Sequence, residues 1–181
     1  MVTWGEAVQD EVRAMAGLEP RVVVPYVLGM VRDETIAELD RQWAGVLPVR
    51  IDPADDYAYG ELVADLWAQA STLVICEQDV VPPPGSIAAL IDCPQQWCVH
   101  EMPFEGRRLA PTLCLAKFAG SLMAARPRLA RQALSKHTGQ RCRTHWRAVD
   151  ITLQNALHHA GVQVHVHQPP IVHLHDYGQR P

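Results

Sequence analysis

Residues 71–82 read Ser-Thr-Leu-Val-Ile-Cys-Glu-Gln-Asp-Val-Val-Pro, an apolar run that ends in two carboxylates. The apolar part, residues 71–76, is short and bounded by polar residues, which is typical of a buried strand. Glu77 and Asp79 follow at its carboxyl end, and Pro82 then interrupts regular structure. In open parallel sheets, ligands bind outside the carboxyl ends of the strands. This stretch therefore predicts a central strand and the edge at which a site would form.

Strands and helices alternate on the amino-terminal side of that stretch. The runs 21–27 and 48–52 have strand composition, while 33–44 and 57–70 carry apolar residues at helical spacing. Such alternation implies a largely parallel sheet with helices on both faces. We therefore expect an α/β fold, a three-layer αβα sandwich with a mostly parallel central sheet.

The remaining sequence continues the same domain. We expect strands at 97–100 and 162–167, helices at 86–90, 119–125, 129–135 and 146–160, and an extended piece at 171–175. No repeat, linker or low-complexity tract divides the chain. Residues 1–181 are therefore expected to form a single domain, with 1–19 as an N-terminal helical extension.

The composition favours one globular domain without a membrane span. The 181 residues are 48% apolar and 20% charged, which argues against a disordered or coiled-coil protein. The amino terminus lacks a basic stretch followed by an apolar one, and the five cysteines are scattered. Both features favour a cytoplasmic protein with reduced thiols over a secreted, disulfide-bonded one.

Charge is distributed unevenly along the chain. Residues 1–106 carry 5 Lys and Arg against 18 Asp and Glu, whereas residues 107–149 carry 10 basic residues and no acid. A basic block of this length suggests that an anionic partner approaches that surface, although a solvated helix face would give the same pattern.

Glu77 and Asp79 are candidates for binding a hard divalent cation. Residues two apart in an extended backbone point to the same side, so their carboxylates would lie together. Oxygen ligands of this kind bind Mg²⁺ or Mn²⁺, usually with phosphate oxygens of a substrate. A solvated turn at the strand end is the alternative interpretation.

The Glu77-Gln78-Asp79 block resembles the Asp-x-Asp region of glycosyltransferases of the GT-A fold, in particular small bacterial and phage-encoded members. Further segments match in order: residues 22–27 resemble the first strand and loop under the nucleotide, Asp52 the acid that contacts base or ribose, residues 113–118 the acceptor-side segment, Trp146 to Asp150 the Trp-x-x-x-Asp segment, and His173 to His175 the C-terminal histidine segment. The resemblance spans roughly residues 20 to 178.

The resemblance implies a metal-dependent, inverting glycosyltransferase that uses a UDP- or GDP-linked sugar and a hydroxyl acceptor, with protein and modified DNA among the acceptors left open. It implies donor-binding residues Pro25, Tyr26, Val27, Asp52, Glu77 and Gln78, and Mn²⁺ or Mg²⁺ ligands Asp79, His173 and His175. It also implies Asp150 as the catalytic base and Lys117, Trp146, Arg141 and Arg143 as acceptor-binding residues. Because Glu77 is longer than the usual Asp, Asp79 is the safer metal ligand.

Three alternatives remain open at this point. A nucleotidyltransferase would also use an acid pair and Mg²⁺, but the loop after the first strand offers only Gly29 and no lysine for a phosphate. A non-enzymatic module could bind nucleic acid or another anion through residues 107–147, which contain few aromatic residues for stacking. A zinc site could use His165, His167, His173 and His175 with Cys142 and His145, although no Cys-x-x-Cys pair is present.

Overall fold

The structure is a computed structural model that describes residues 20–69, 71–104, 107–109, 111–135 and 142–174. The predicted helical extension at 1–19, together with Arg141 and His175, lies outside these residues. No helix among the described residues is long and apolar enough to cross a bilayer.

A six-stranded sheet forms the centre of the fold. Its strands are β1 (Arg21–Tyr26), β2 (Leu47–Arg50), β3 (Leu73–Cys76), β5 (Trp97–His100), β8 (Leu115–Phe118) and β9 (Val164–His167), in the order β2-β1-β3-β8-β5-β9. All neighbours pair in parallel except at β8, which is antiparallel to both β3 and β5. The prediction of a mostly parallel sheet is therefore confirmed.

Two small ribbons and six helices complete the described fold. The ribbons are β4 (Val80–Val81) with β10 (Val172–His173) and β6 (Met102–Phe104) with β7 (Arg107–Leu109). The helices are α1 (Asp33–Gln42), α2 (Ala58–Ala68), α3 (Ser86–Asp92), α4 (Gly120–Ala125), α5 (Leu129–Leu134) and α6 (Val149–His159), and a short 3₁₀ turn, Trp146–Ala148, precedes α6. Acidic residues in the first turn of α1 and Arg41 in its last turn suit the helix dipole.

Helices cover both faces of the sheet, because strand residues alternate between two apolar clusters. One cluster joins side chains such as Val23, Ile75 and Phe118 to helices α2, α4, α5 and α6. The other joins Val24 and Val74 to helices α1 and α3. The fold is an α/β sandwich in which burial on both sides fixes the sheet and leaves its carboxyl edge free for polar residues.

One strand differs from the expectation. The resemblance implies that the segment around Lys117 lies on the acceptor side of the site, but this segment forms β8, which lies between β3 and β5 in the centre of the sheet. Its run of six residues, 113–118, is apolar except for Lys117. Such a short run does not reveal strand direction, which is set by tertiary pairing.

Candidate functional site at the carboxyl edge

A topological switch point lies between β1 and β3. From β1 the chain passes to β2 on one side, and β3 then pairs with the other side of β1. In open α/β sheets the connections after neighbouring strands diverge at such a point, and ligands bind in the crevice outside the carboxyl ends of the strands. The Glu77-Gln78-Asp79 block directly follows β3 at this crevice.

Gln78 joins the two loops that border the crevice. Its side-chain Oε1 accepts a hydrogen bond of 2.6 Å from the backbone N–H of Val27. Its own carbonyl accepts one of 3.0 Å from the backbone N–H of Arg32. The Gln78 side chain therefore contacts Val27 and holds the loop after β1 in position.

Tyr26 and Asp52 lie on the other side of β1. The Tyr26 carbonyl accepts a 2.7 Å bond from the backbone N–H of Ile51, which places Asp52 next to the end of β1. One carboxylate oxygen of Asp52 accepts a 2.9 Å bond from the backbone N–H of Ala54 and shapes the turn there. Pro25 is buried within β1, so that its side chain supports the strand.

Asp79 and His173 come together although they are distant in sequence. Antiparallel pairing of β4 with β10 sets His173 opposite Val80, and the Leu174 N–H donates a 2.8 Å bond to the Asp79 carbonyl. Asp79 Oδ2 then lies 3.7 Å from His173 Nε2. The two side chains are largely buried, with exposed fractions of 14% and 11%.

This pair is suited to sharing a divalent cation with other ligands. Two bonds of about 2.1 Å to one ion span at most about 4.2 Å, so the measured separation permits both contacts. No group of three possible metal ligands found among the described residues includes Asp79 or His173. Any cation here would complete its shell with water or with oxygens of a bound substrate.

Two further acids meet beside the crevice. Glu77 Oε1 accepts a 3.1 Å hydrogen bond from the Tyr59 hydroxyl, while the Glu77 backbone N–H donates to the Cys114 carbonyl at 2.9 Å. The preceding residue, Leu113, donates its backbone N–H to Asp150 Oδ2 at 3.2 Å. The segment before β8 thus connects the end of β3 to the first turn of α6.

Burial and the repulsion between neighbouring charges change the pKa values of Glu77, Asp150 and Tyr59. Burial, and then the charge of Asp150, raises the pKa of Glu77 to about 8. Burial also raises the pKa of Asp150, against the lowering effect of the Leu113 N–H, and that of Tyr59. Near neutral pH the two carboxyl groups therefore retain a proton that isolated acids would have lost, because two close carboxylates in a buried site do not both ionise readily.

Sequence reasoning missed Tyr59 and the amide of Leu113 in this arrangement. Tyr59 occupies the first turn of α2 and is buried with the apolar residues of that helix. A hydroxyl on an apolar helix face was the available signal, since a buried tyrosine usually finds a hydrogen-bond partner.

The proposed acceptor residues occupy different surroundings. Trp146 is half exposed, stacks on His145 at 5.6 Å between ring centroids and has the Arg147 guanidinium 5.0 Å from its ring centroid. Arg143 is exposed. Trp146 lies four residues before Asp150, so both belong to the segment that begins α6.

Lys117 requires a correction. It is 1% exposed, and its ammonium donates to the carbonyls of Cys93 at 2.8 Å and Gln95 at 2.6 Å. In β8 it pairs with Val74 and Cys98, so it projects from a sheet face rather than from the edge. Lys117 is consequently unavailable to an acceptor.

Part of the basic block is also engaged within the protein. Arg131 forms ion pairs with Glu61 and Asp65 of α2, and Arg126 donates a 2.8 Å bond to the Ala160 carbonyl. These two arginines stabilise contacts between helices, which reduces the charge that the block offers to an external anion.

The zinc ligands considered from the sequence do not form one cluster in the described residues. Cys142 is buried beside Gly60, whereas His145 faces Asp56, with 3.5 Å between His145 Nε2 and Asp56 Oδ1. His173 lies at Asp79. A different set of three possible ligands, Cys93, Cys98 and His167, has its ligand atoms within 4.8 Å of one another.

Comparison with known proteins adds information about the fold. No family model matches the chain, and no curated protein matches it in sequence. Among solved structures, the crystal structure of A197 from STIV is similar, with a TM-score of 0.55 and 11% sequence identity over 91% of this chain and 98% of that chain. At this identity the similarity concerns the fold, which the two proteins share over nearly their whole described lengths.

Proposed function

We propose that this protein is a metal-dependent, inverting glycosyltransferase of the GT-A type that moves a sugar from a nucleotide-sugar donor to a hydroxyl acceptor. The observation that carries the proposal is the position of the Asp79–His173 pair at the switch point of a mostly parallel sheet. The Glu77 and Asp150 carboxyl groups lie at the same edge, where a crevice of this class receives its ligand.

Asp79 and His173 would hold Mn²⁺ or Mg²⁺ against the donor diphosphate, and His175 stays a proposed third ligand. Their separation fits one shared ion, and a shell completed by phosphate oxygens is usual for these cations. When bound, such an ion stabilises the negative charge that develops on a departing nucleoside diphosphate.

The donor nucleoside would lie across the ends of β1 and β2. Tyr26, Val27 and Asp52 border this part of the edge, and Gln78 fixes the loop that carries Val27. In this proposal Asp52 contacts the base or ribose, and Pro25 serves by supporting the strand beneath. UDP and GDP are the nucleotides that we expect to bind.

Asp150 would remove the proton from the acceptor hydroxyl. The Leu113 N–H favours the charged form of Asp150 and holds one of its oxygens in a fixed direction. A general base in this position contributes roughly 10² to 10⁴ in rate. Trp146 and Arg143 would contact the acceptor next to Asp150, and Arg141 completes the proposed set.

Two other functions are less well supported. A nucleotidyltransferase would be expected to have a glycine-rich phosphate loop with a lysine after β1, and residues 26–31 contain only Gly29 and no lysine. An anion-binding module would leave the buried acids without a role, and Arg131 and Lys117 are engaged inside the protein.

The decisive experiment is a screen of nucleotide sugars for slow hydrolysis with Mn²⁺, since water can replace the acceptor. We expect one donor to be hydrolysed, with activity lost in EDTA and in Asp79→Asn but retained in Asp40→Asn, a change at an exposed acid of α1. Release of pyrophosphate from a nucleoside triphosphate, without turnover of any nucleotide sugar, would instead favour the nucleotidyltransferase.

A further inference from the structure

We propose that Cys93, Cys98 and His167 form a zinc site that joins helix α3 to strands β5 and β9. One ligand atom from each residue lies within 4.8 Å of the other two. Two thiolates and an imidazole are typical zinc ligands, whereas Mn²⁺ and Mg²⁺ prefer oxygen. The site is therefore separate in chemistry from the Asp79–His173 pair, and its existence does not depend on the proposed glycosyl transfer.

The three residues are brought together by different elements. Cys93 follows the last residue of α3, and its backbone N–H donates a 3.3 Å bond to the Leu90 carbonyl. Cys98 belongs to β5, and His167 is the last residue of β9, which forms the edge of the sheet. A bound ion would tie an outer strand and a short helix to the centre of the fold.

Lys117 holds the segment between the two cysteines. Its ammonium bonds to the carbonyls of Cys93 and Gln95, so the chain is fixed in a turn above β8 before it enters β5. The Cys98 thiol donates a weak bond of 3.8 Å to the same Gln95 carbonyl, so Lys117 and Cys98 hold this segment together. The arrangement of the sulfur atoms thus exists without an ion, which reduces the ordering cost of binding one.

His167 supplies an independent indication of a missing ligand. Its Nε2 atom is buried and has no hydrogen-bond partner among the described residues. Buried polar atoms are nearly always paired, so an unpaired nitrogen on an imidazole that lies in a cluster with two thiols calls for an explanation. Burial, and then the nearby His100 and His165, lowers the pKa of His167, which keeps the imidazole neutral as a metal ligand requires.

The charges around the site are compatible with zinc. Two thiolates neutralise one Zn²⁺, and the Lys117 ammonium then faces a neutral group rather than a bare dication. Burial raises the pKa of Cys98 to about 12, so the free thiol stays protonated until a metal displaces its proton. Cys93 and His167 are only half-buried, and in this proposal water is the fourth tetrahedral ligand.

Cobalt(II) provides a direct test on the full chain, because thiolate coordination gives a ligand-to-metal charge-transfer absorption that oxygen and nitrogen ligands do not. We expect the reduced, metal-free protein to develop this absorption with one equivalent of Co²⁺ and to lose it when one equivalent of Zn²⁺ is added. Asp79→Asn should leave the absorption unchanged, which separates the site from the carboxyl edge.

Single substitutions test which side chains bind the zinc ion. Cys93→Ser and His167→Gln should weaken Zn²⁺ binding at least tenfold, on the order of the effect of disturbing a metal site. The matched controls Cys142→Ser and His159→Gln, which remove a thiol and an imidazole elsewhere, should bind as the unmodified protein does. Zn²⁺ should raise the Tm of the unmodified protein and the controls, but not that of the two site variants.

The unmodified protein alone can overturn the proposal, whatever the folding of its variants. Absence of the charge-transfer absorption at saturating Co²⁺ would exclude the thiolate site. An unchanged absorption and Zn²⁺ affinity in both Cys93→Ser and His167→Gln would exclude these residues as ligands.

Discussion

Oδ2 of Asp79 lies 3.7 Å from Nε2 of His173, and this contact joins the end of the central strand β3 to the last ribbon of the described chain. The backbone holds the two side chains close together, because β4 pairs with β10 directly beside them. In addition, the Leu174 N–H donates a hydrogen bond to the Asp79 carbonyl. A cation bound here would link the ribbon to the sheet.

The first prediction concerns the metal dependence of nucleotide binding. Calorimetry should detect UDP or GDP binding with Mn²⁺ and little binding in EDTA, because the cation mediates the contact with the diphosphate. Asp79→Ala should abolish the effect of Mn²⁺, whereas Glu77→Ala should only weaken binding. Asp40→Ala, at an exposed position of α1, is the control. Equal affinity with Mn²⁺ and in EDTA would contradict the proposed metal site.

The second prediction concerns Gln78, whose Oε1 accepts the Val27 N–H at 2.6 Å. Gln78→Ala should lower the free energy of unfolding by about 1 kcal/mol through loss of this bond, and it should weaken nucleotide binding because the loop after β1 is released. Gln132→Ala on the exposed side of α5 should change neither quantity. Urea unfolding and calorimetry measure the two effects, and unaltered nucleotide affinity would show that the loop does not contact the donor.

The strand–helix alternation of the first half was sufficient to predict its elements. The strand predicted at 21–27 is observed as Arg21–Tyr26, and the helix predicted at 57–70 as Ala58–Ala68. These predictions succeed because β-branched runs and helical apolar spacing are local properties. The direction of β8 and the burial of Lys117 depend on pairing with distant strands, so local sequence does not specify them.

The candidate site was predictable to a similar degree. Acids after a buried strand indicated the position of the Glu77-Gln78-Asp79 block, and the structure brings His173 to it. The hydrogen bond from Tyr59 to Glu77 joins helix α2 to the loop after β3, which are separate in sequence. The cluster of Cys93, Cys98 and His167 likewise joins three elements, the end of α3, β5 and β9. Such contacts follow from packing, because each depends on how helices and strands are placed relative to one another.

The third prediction concerns the protonation of Glu77 in metal-free protein. Its folded pKa of about 8 lies above its ordinary value of 4.5, so the fold favours the neutral acid. The resulting stability is fully present below the ordinary pKa and is lost as pH rises through about 8. Glu77→Gln, which imitates the neutral acid, should therefore raise Tm relative to the unmodified protein more at about pH 9 than at about pH 6.

Thermal unfolding in EDTA at the two pH values measures this difference, with Glu34→Gln at an exposed position of α1 as the control. A Tm difference that is the same at both pH values would show that Glu77 does not titrate in this range.

The fourth prediction separates two arginines of the basic block. Arg131 pairs with Glu61 and Asp65, so Arg131→Gln should lower the free energy of unfolding by roughly 1–3 kcal/mol, because two partly buried carboxylates lose their partner. Arg143 is exposed, and Arg143→Gln should leave stability nearly unchanged while raising the KM of an anionic acceptor and reducing its salt dependence. Unaltered acceptor kinetics across a salt series would indicate that Arg143 is only a solvated surface residue.

The last prediction concerns Asp150, because the catalytic base separates sugar transfer from donor binding. Asp150→Asn keeps the shape of the side chain and can still accept the Leu113 N–H, but it cannot remove a proton. Transfer to the acceptor should fall by roughly 10² or more while nucleotide affinity with Mn²⁺ is unchanged. Asn155→Asp, at an exposed position of the same helix, introduces the reverse change away from the site and should leave transfer intact. If Asp150→Asn lowers nucleotide affinity and transfer equally, Asp150 supports donor binding and another group must accept the proton.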